Sequence, residues 1–142
     1  MTQLTEQEAR QMIANVNTRN VEKVLEQYAD DATYQAPNLD SPIRGKPAIR
    51  EYLKGSFAAF PDWTMDVTKV FVSGDETVIV NSVRGTHTGP LTGQNGKSIA
   101  PTNKQFVQDQ LTRVVLNQQG KVLSLRAYGN PAEVYHQLGI VQ

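Results

Sequence analysis

Apolar residues recur along this chain at two different spacings, and the change from one to the other divides it. Ala9, Met12, Ile13 and Val16 fall three and four apart, which gathers them on one face of a helix. Thr5 and Glu8 ahead of them make a capping box: the Thr hydroxyl accepts a first-turn N–H and the Glu side chain reaches back. Val21, Val24, Leu25 and Tyr28 repeat the spacing behind Asn20, a good cap for a second helix. Ala32 to Ala36 reads as a short strand ended by Pro37. A third helix is predicted from Pro47, suited to a first turn, to Phe60, where Pro61 stops it. Ile49, Leu53, Phe57 and Phe60 line one of its sides.

After Pro61 the period shortens to two. Trp63, Met65, Val67, Lys69 and Phe71 alternate with their neighbours as a strand does, and Thr77 to Arg84 forms a second strand beyond the Ser73-Gly74-Asp75-Glu76 turn. Phe106 to Leu116 and Lys121 to Tyr128 give two more around Gly120, and Asn130-Pro131 opens a last helix ending at Gly139. The polar, Gly- and Pro-rich segment from Gly85 to Lys104 suits either a pocket rim or a plain hairpin. Helices first and antiparallel strands after predict an α+β fold, with helices on one face of a curved sheet.

Composition narrows the function classes. The 142 residues carry 14 Lys+Arg against 14 Asp+Glu, which argues against nucleic acid or an anionic membrane as partner. A chain of this length makes one domain, residues 1–142, with enough core to fold without a disulfide. The absence of cysteine removes thiol nucleophiles and thiolate metal sites and fits a reducing, cytoplasmic setting. No apolar run approaches the roughly 18 residues of a membrane span, and Met1-Thr2-Gln3 is no signal start. The expectation is a soluble protein that recognises its partner by shape.

Few residues offer chemistry near neutral pH. His136 falls on the last helix, where a surface role is the plain reading. His87 sits in Gly85-Thr86-His87-Thr88-Gly89, whose glycines permit close backbone approach; a structural and a catalytic role both suit it. No second His, Asp or Glu stands at metal-ligand spacing from it. Gly96-Lys97-Ser98 fails as a phosphate loop, because the motif's first glycine would fall at Leu91 and Pro101 blocks the following helix. Adjacent Asp30 and Asp31 point apart and read as a solvated turn. Tyr34, Leu53, Phe57, Phe60, Trp63 and Tyr128 suit a pocket wall or an ordinary core. Phe106, Gln108, Gln110 and Thr112 share one strand face. If helices cover that face, its amides need partners or a polar-dotted cavity; if it faces solvent, they need neither.

In their order, several blocks resemble the SnoaL-like polyketide cyclases of the nuclear transport factor 2-like superfamily, with steroid delta-isomerases as more distant relatives. They are Tyr28-Ala29-Asp30-Asp31-Ala32-Thr33, Gly45-Lys46-Pro47-Ala48-Ile49, Phe60-Pro61-Asp62 and Gly85 to Gly93 followed by Pro101-Thr102 and Phe106, then Gly120-Lys121-Val122 and Gln137-Leu138-Gly139. The resemblance implies a cone-shaped α+β barrel with three N-terminal helices on a mostly antiparallel sheet. It also implies a deep apolar pocket, a homodimer through the sheet, and no metal or organic cofactor. Aligned on these blocks, the isomerase base falls at Ala36 and its oxyanion donors at Met12 and Thr112, while the cyclase Asp and His fall at Ala127 and Gln110. Both relatives' acid–base groups are therefore changed.

These readings converge on a pocket lined by Met12, Tyr34, Leu53, Phe57, Trp63, Gln108, Gln110, Thr112 and Tyr128. Two functions fit it. One is a SnoaL-like cyclase or isomerase acting on a small hydrophobic carbonyl compound, with His87 as relocated base and Gln110 or Thr112 orienting a developing enolate. The other is a binding protein for a small hydrophobic ligand. The opposite sheet face, with Asp109, Arg113 and Val115, is the expected dimer interface.

Overall fold

The structure is a computed structural model that describes residues 4–92 and 96–140. The opening Met1, Thr2 and Gln3, and Gly93 of the loop block, lie outside these residues. Helix α1 (Glu6–Asn17) begins with the predicted capping box, both bonds between Thr5 and Glu8 measuring 3.0 Å. Its Ala9, Met12 and Ile13 are buried. Asn17 holds its far end to the sheet, accepting from the Met65 N–H at 2.7 Å and donating to the Met65 carbonyl at 2.8 Å. Helix α2 (Val21–Leu25) is short and capped by Asn20.

Tyr28 belongs to a strand and not to the second helix: β1 runs Tyr28–Gln35, longer than the sequence predicts. Pairing decides this, since β1 lies parallel to the last strand (Tyr28 opposite Val122) and antiparallel to the unpredicted β2 (Ile43–Arg44). A register shift between Tyr28 and Thr33 leaves Asp30 and Asp31 both exposed. Gly45, with φ of 89°, turns the chain into α3 (Lys46–Ala59). Next come β3 (Thr64–Ser73) and β4 (Glu76–Thr86). The Gly85–Lys104 segment contains a small hairpin, β5 (Leu91–Thr92) with β6 (Ser98–Ile99). Then follow β7 (Gln105–Leu116), β8 (Val122–Tyr128) and α4 (Pro131–Leu138).

The main sheet has six strands in the order β2-β1-β8-β7-β4-β3, and only β1 and β8 are parallel. Alternation along β7 is strict. Phe106, Gln108, Gln110, Thr112, Val114 and Leu116 are buried, whereas Val107, Asp109 and Leu111 are exposed. The glutamine face is therefore the inner one, a choice that alternation alone leaves open. Helix α4 opposes this face, fastened by two bonds between the Gln137 amide and the Val107 backbone at 2.8 and 2.9 Å. Among the described residues no helix is long and apolar enough to cross a membrane.

Candidate functional site

The inner sheet face and the helices form a cavity of about 140 Å³. An apolar cavity of about this size holds one benzene-sized molecule. Each period in the sequence contributes a wall. Alternation brings Gln108, Gln110 and Thr112 of β7, Leu125 and Ala127 of β8, and Tyr28 and Tyr34 of β1 to the cavity. Helical spacing brings Met12 and Ile13 of α1, Tyr52, Leu53 and Phe57 of α3, and Val134 and Tyr135 of α4. Phe60, Trp63 and Phe106 form an aromatic corner of the wall, with ring centroids 5.1 to 6.0 Å apart.

The structure thus places Met12, Tyr34, Leu53, Phe57, Trp63, Gln108, Gln110 and Thr112 around one cavity. Tyr128 is not among them. Ala127 points inward, so its strand neighbour must point outward, and Tyr128 is 42% exposed with the Arg126 guanidinium 4.6 Å from its ring. The positions that the resemblance assigns to the relatives' chemistry, Met12, Ala36, Gln110, Thr112 and Ala127, all border the cavity.

His87 is elsewhere, which corrects its expected part as the base. Its ring is fully buried against Phe60, centroids 5.5 Å apart, and does not border the cavity. Nδ1 accepts the Thr102 backbone N–H at 3.2 Å and lies 3.1 Å from the Thr102 hydroxyl. A backbone N–H can only donate, so Nδ1 carries the lone pair and the proton sits on Nε2. Burial holds the imidazole pKa below its ordinary value, with the Gly89 backbone working the other way. Its backbone bonds Lys104 and Asn103 at 2.9 and 2.8 Å, so His87 staples the two ends of the 85–104 segment together.

The sequence reading missed several polar members of the wall, among them Tyr28, Asn38, Tyr52 and Tyr135. Tyr52 lies three residues after Ile49 and Tyr135 three before Leu138, spacings that set both on buried helix faces. Tyr52 donates to Asn38 Oδ1 at 2.6 Å. Burial pushes the Tyr52 phenol up to about 12 and raises Tyr28 and Tyr135 as well. Tyr34 is held well above the usual phenol range by burial first, then by Tyr52 and Tyr28, whose ionisation would oppose its own. All four hydroxyls therefore keep their protons at neutral pH, Tyr52 giving its own to Asn38. The wall contains no Asp, Glu, His, Lys or Arg among the described residues. Nor, among these residues, do three carboxylates or imidazoles group as a metal site would require.

Solved structures share the fold. A Catenulispora acidiphila protein with a ketosteroid isomerase-like fold, in complex with trimethylamine, superposes with a TM-score of 0.79 at 18% identity, covering 96% of this chain and 95% of that one. The proposed hydroxylase AclR of Streptomyces galilaeus gives 0.76 at 19% identity, over 94% and 83% of the two chains. The proposed polyketide cyclase IdmH of Streptomyces antibioticus gives 0.70 at 23% identity, over 92% and 98%. A comparison with curated protein sequences finds no match. The model of the SnoaL-like polyketide cyclases matches residues 7–138, almost the whole chain, and with the cavity and the sheet that builds it this places the protein in the SnoaL-like polyketide cyclase family.

Proposed function

We propose that the protein acts on a small hydrophobic compound bearing an enolisable carbonyl, as a cyclase- or isomerase-like enzyme without the acid–base pair of its relatives. One observation carries this reading: a mostly apolar cavity whose polar groups are neutral amides, aliphatic hydroxyls and protonated tyrosines, with no charged side chain in the described wall. Such a wall favours a neutral ligand. Each 100 Å² of apolar ligand surface it covers stabilises the complex by about 2.5 kcal/mol. A tyrosine O–H donating to the carbonyl oxygen strengthens its bond as that oxygen gains enolate charge, and in a dry site one such donor changes kcat by roughly 100-fold or more. With His87 outside the cavity, the proton leaving carbon goes to water or to the substrate's own groups.

The uncharged wall equally favours a second reading, binding without turnover. Exchange of the α-protons of cyclohexanone for deuterium, followed by NMR in D2O, separates the two. Acceleration at least tenfold over buffer, lost in Tyr34→Phe, supports the enzyme. Binding of the ketone without acceleration supports the carrier, and no binding overturns both. The outer sheet face, with exposed Val107, Leu111 and Leu123, supports a homodimer formed through it.

A further inference from the structure

Most buried glutamines can turn their amide either way, but Gln110 cannot. The chain of bonds begins at the Asn130 carbonyl, which can only accept. Gln108 Nε2 donates to it at 2.7 Å, so Gln108 Oε1 must face the other way, where Gln110 Nε2 donates to it at 3.0 Å. This leaves Gln110 Oε1 turned away from its neighbour, with no hydrogen-bond partner among the described residues, on a side chain that is otherwise buried and borders the cavity. The anchor is rigid. Asn130 caps α4, accepting from the Ala132 N–H at 3.0 Å. Space for the relay comes from Gly129: a Cβ there would meet Gln108 Oε1 at 2.8 Å and Gln110 Cγ at 3.3 Å.

We propose that Gln110 selects a ligand hydroxyl, which donates to its fixed carbonyl oxygen, and that Gln108 is the positioning residue that sets this polarity. The inference rests on the cavity being the ligand site and adds to it the chemistry at one end: an enolic or phenolic O–H, not a ketone or ether oxygen. A group that can only accept would meet Oε1 with no proton between them, and by covering it would deprive that acceptor of a donor.

Titrations of the full chain with benzene, phenol and benzaldehyde, followed by amide chemical shifts, test it. In the wild type, phenol should bind about tenfold tighter than benzaldehyde, the usual worth of one buried hydrogen bond. Gln110→Leu should bring the phenol-to-benzaldehyde ratio to about one. Gln108→Leu frees the Gln110 amide to turn its N–H inward, so the phenol-to-benzaldehyde ratio should fall several-fold. Gly129→Ala should do the same, because its Cβ would displace the Gln108 amide from the backbone side, and it stands as the second variant if Gln108→Leu folds poorly. An unchanged ratio in Gln110→Leu overturns the selection, and an unchanged ratio in both relay variants overturns the positioning role. Loss of benzene together with phenol in these variants would mean general damage to the cavity and would also overturn the proposal. Failure of benzene to bind the wild type sinks the cavity reading itself.

Discussion

Phe60→Ala probes the partition between the cavity and His87. The Phe60 ring is 95% buried, meets Phe106 at 5.1 Å and Trp63 at 6.0 Å on one side, and covers the imidazole at 5.5 Å on the other. Its Cβ also lies close over Gly85, where an added Cβ would approach it to 3.2 Å. Neighbours so tightly fitted cannot collapse far into the vacated space. The cost should therefore sit in the usual range for a buried phenylalanine, about 3–5 kcal/mol, made of lost transfer energy plus the cavity left behind. For a chain of this size that lowers Tm by roughly 10–15 °C. Urea unfolding gives the free energy, and diethyl pyrocarbonate followed by peptide mapping gives the geometry. His87 should resist the reagent in the wild type and react in Phe60→Ala, because removal of the ring joins Nε2 to the cavity. A loss below about 1 kcal/mol, or equal His87 reactivity in both proteins, would refute the partition.

Acid should destabilise the fold through the same histidine. Its folded-state pKa lies below the ordinary 6.5, so between the two values the unfolded chain binds more protons, and stability falls as pH drops below about 6.5. Urea midpoints between pH 5 and 8 should show this slope in the wild type and a flatter one in His87→Gln; an equal slope in both refutes the assignment. On the outer sheet face, Leu111 is 46% exposed beside Val107, and Leu111→Lys should convert a dimer to a monomer in light scattering without loss of the folded circular dichroism signal. A wild type that is already monomeric at micromolar concentration rules that interface out.

The elements were legible wherever local chemistry fixes them. Thr5 with Glu8, Asn20, Pro47 and Gly139 mark helix ends that the structure reproduces within a residue or so. Tyr28 was not, because helical spacing and strand membership compete there and the decision comes from Val122, far along the chain. The pocket face of β7 was visible as a run of alternating amides, but its direction was not, since alternation fixes two faces without saying which is inside. Tyr128 could have been excluded from sequence alone. The resemblance places Ala127 in the site, and adjacent strand residues cannot both face inward. His87 misled for a physical reason: flanking glycines permit close approach to a ligand and to the chain's own backbone alike, and here the partner is Thr102.

The resemblance sets Ala36 and Ala127 where relatives carry carboxylates, and both alanines border the cavity. Two ionised groups in a cavity of about 140 Å³ would need water or counter-charges, since burying an unpaired charge is far costlier than burying a neutral amide. With alanine at both positions the wall stays mostly apolar, and hydrogen bonds made against it gain strength from the low dielectric. A protonated tyrosine and an amide of fixed polarity are weak reagents in water. Against an apolar wall they become selective, because every mismatched donor or acceptor is left without a partner. A wall without charge therefore favours discrimination among neutral ligands, and the Asn130–Gln108–Gln110 relay is where the proposal locates it.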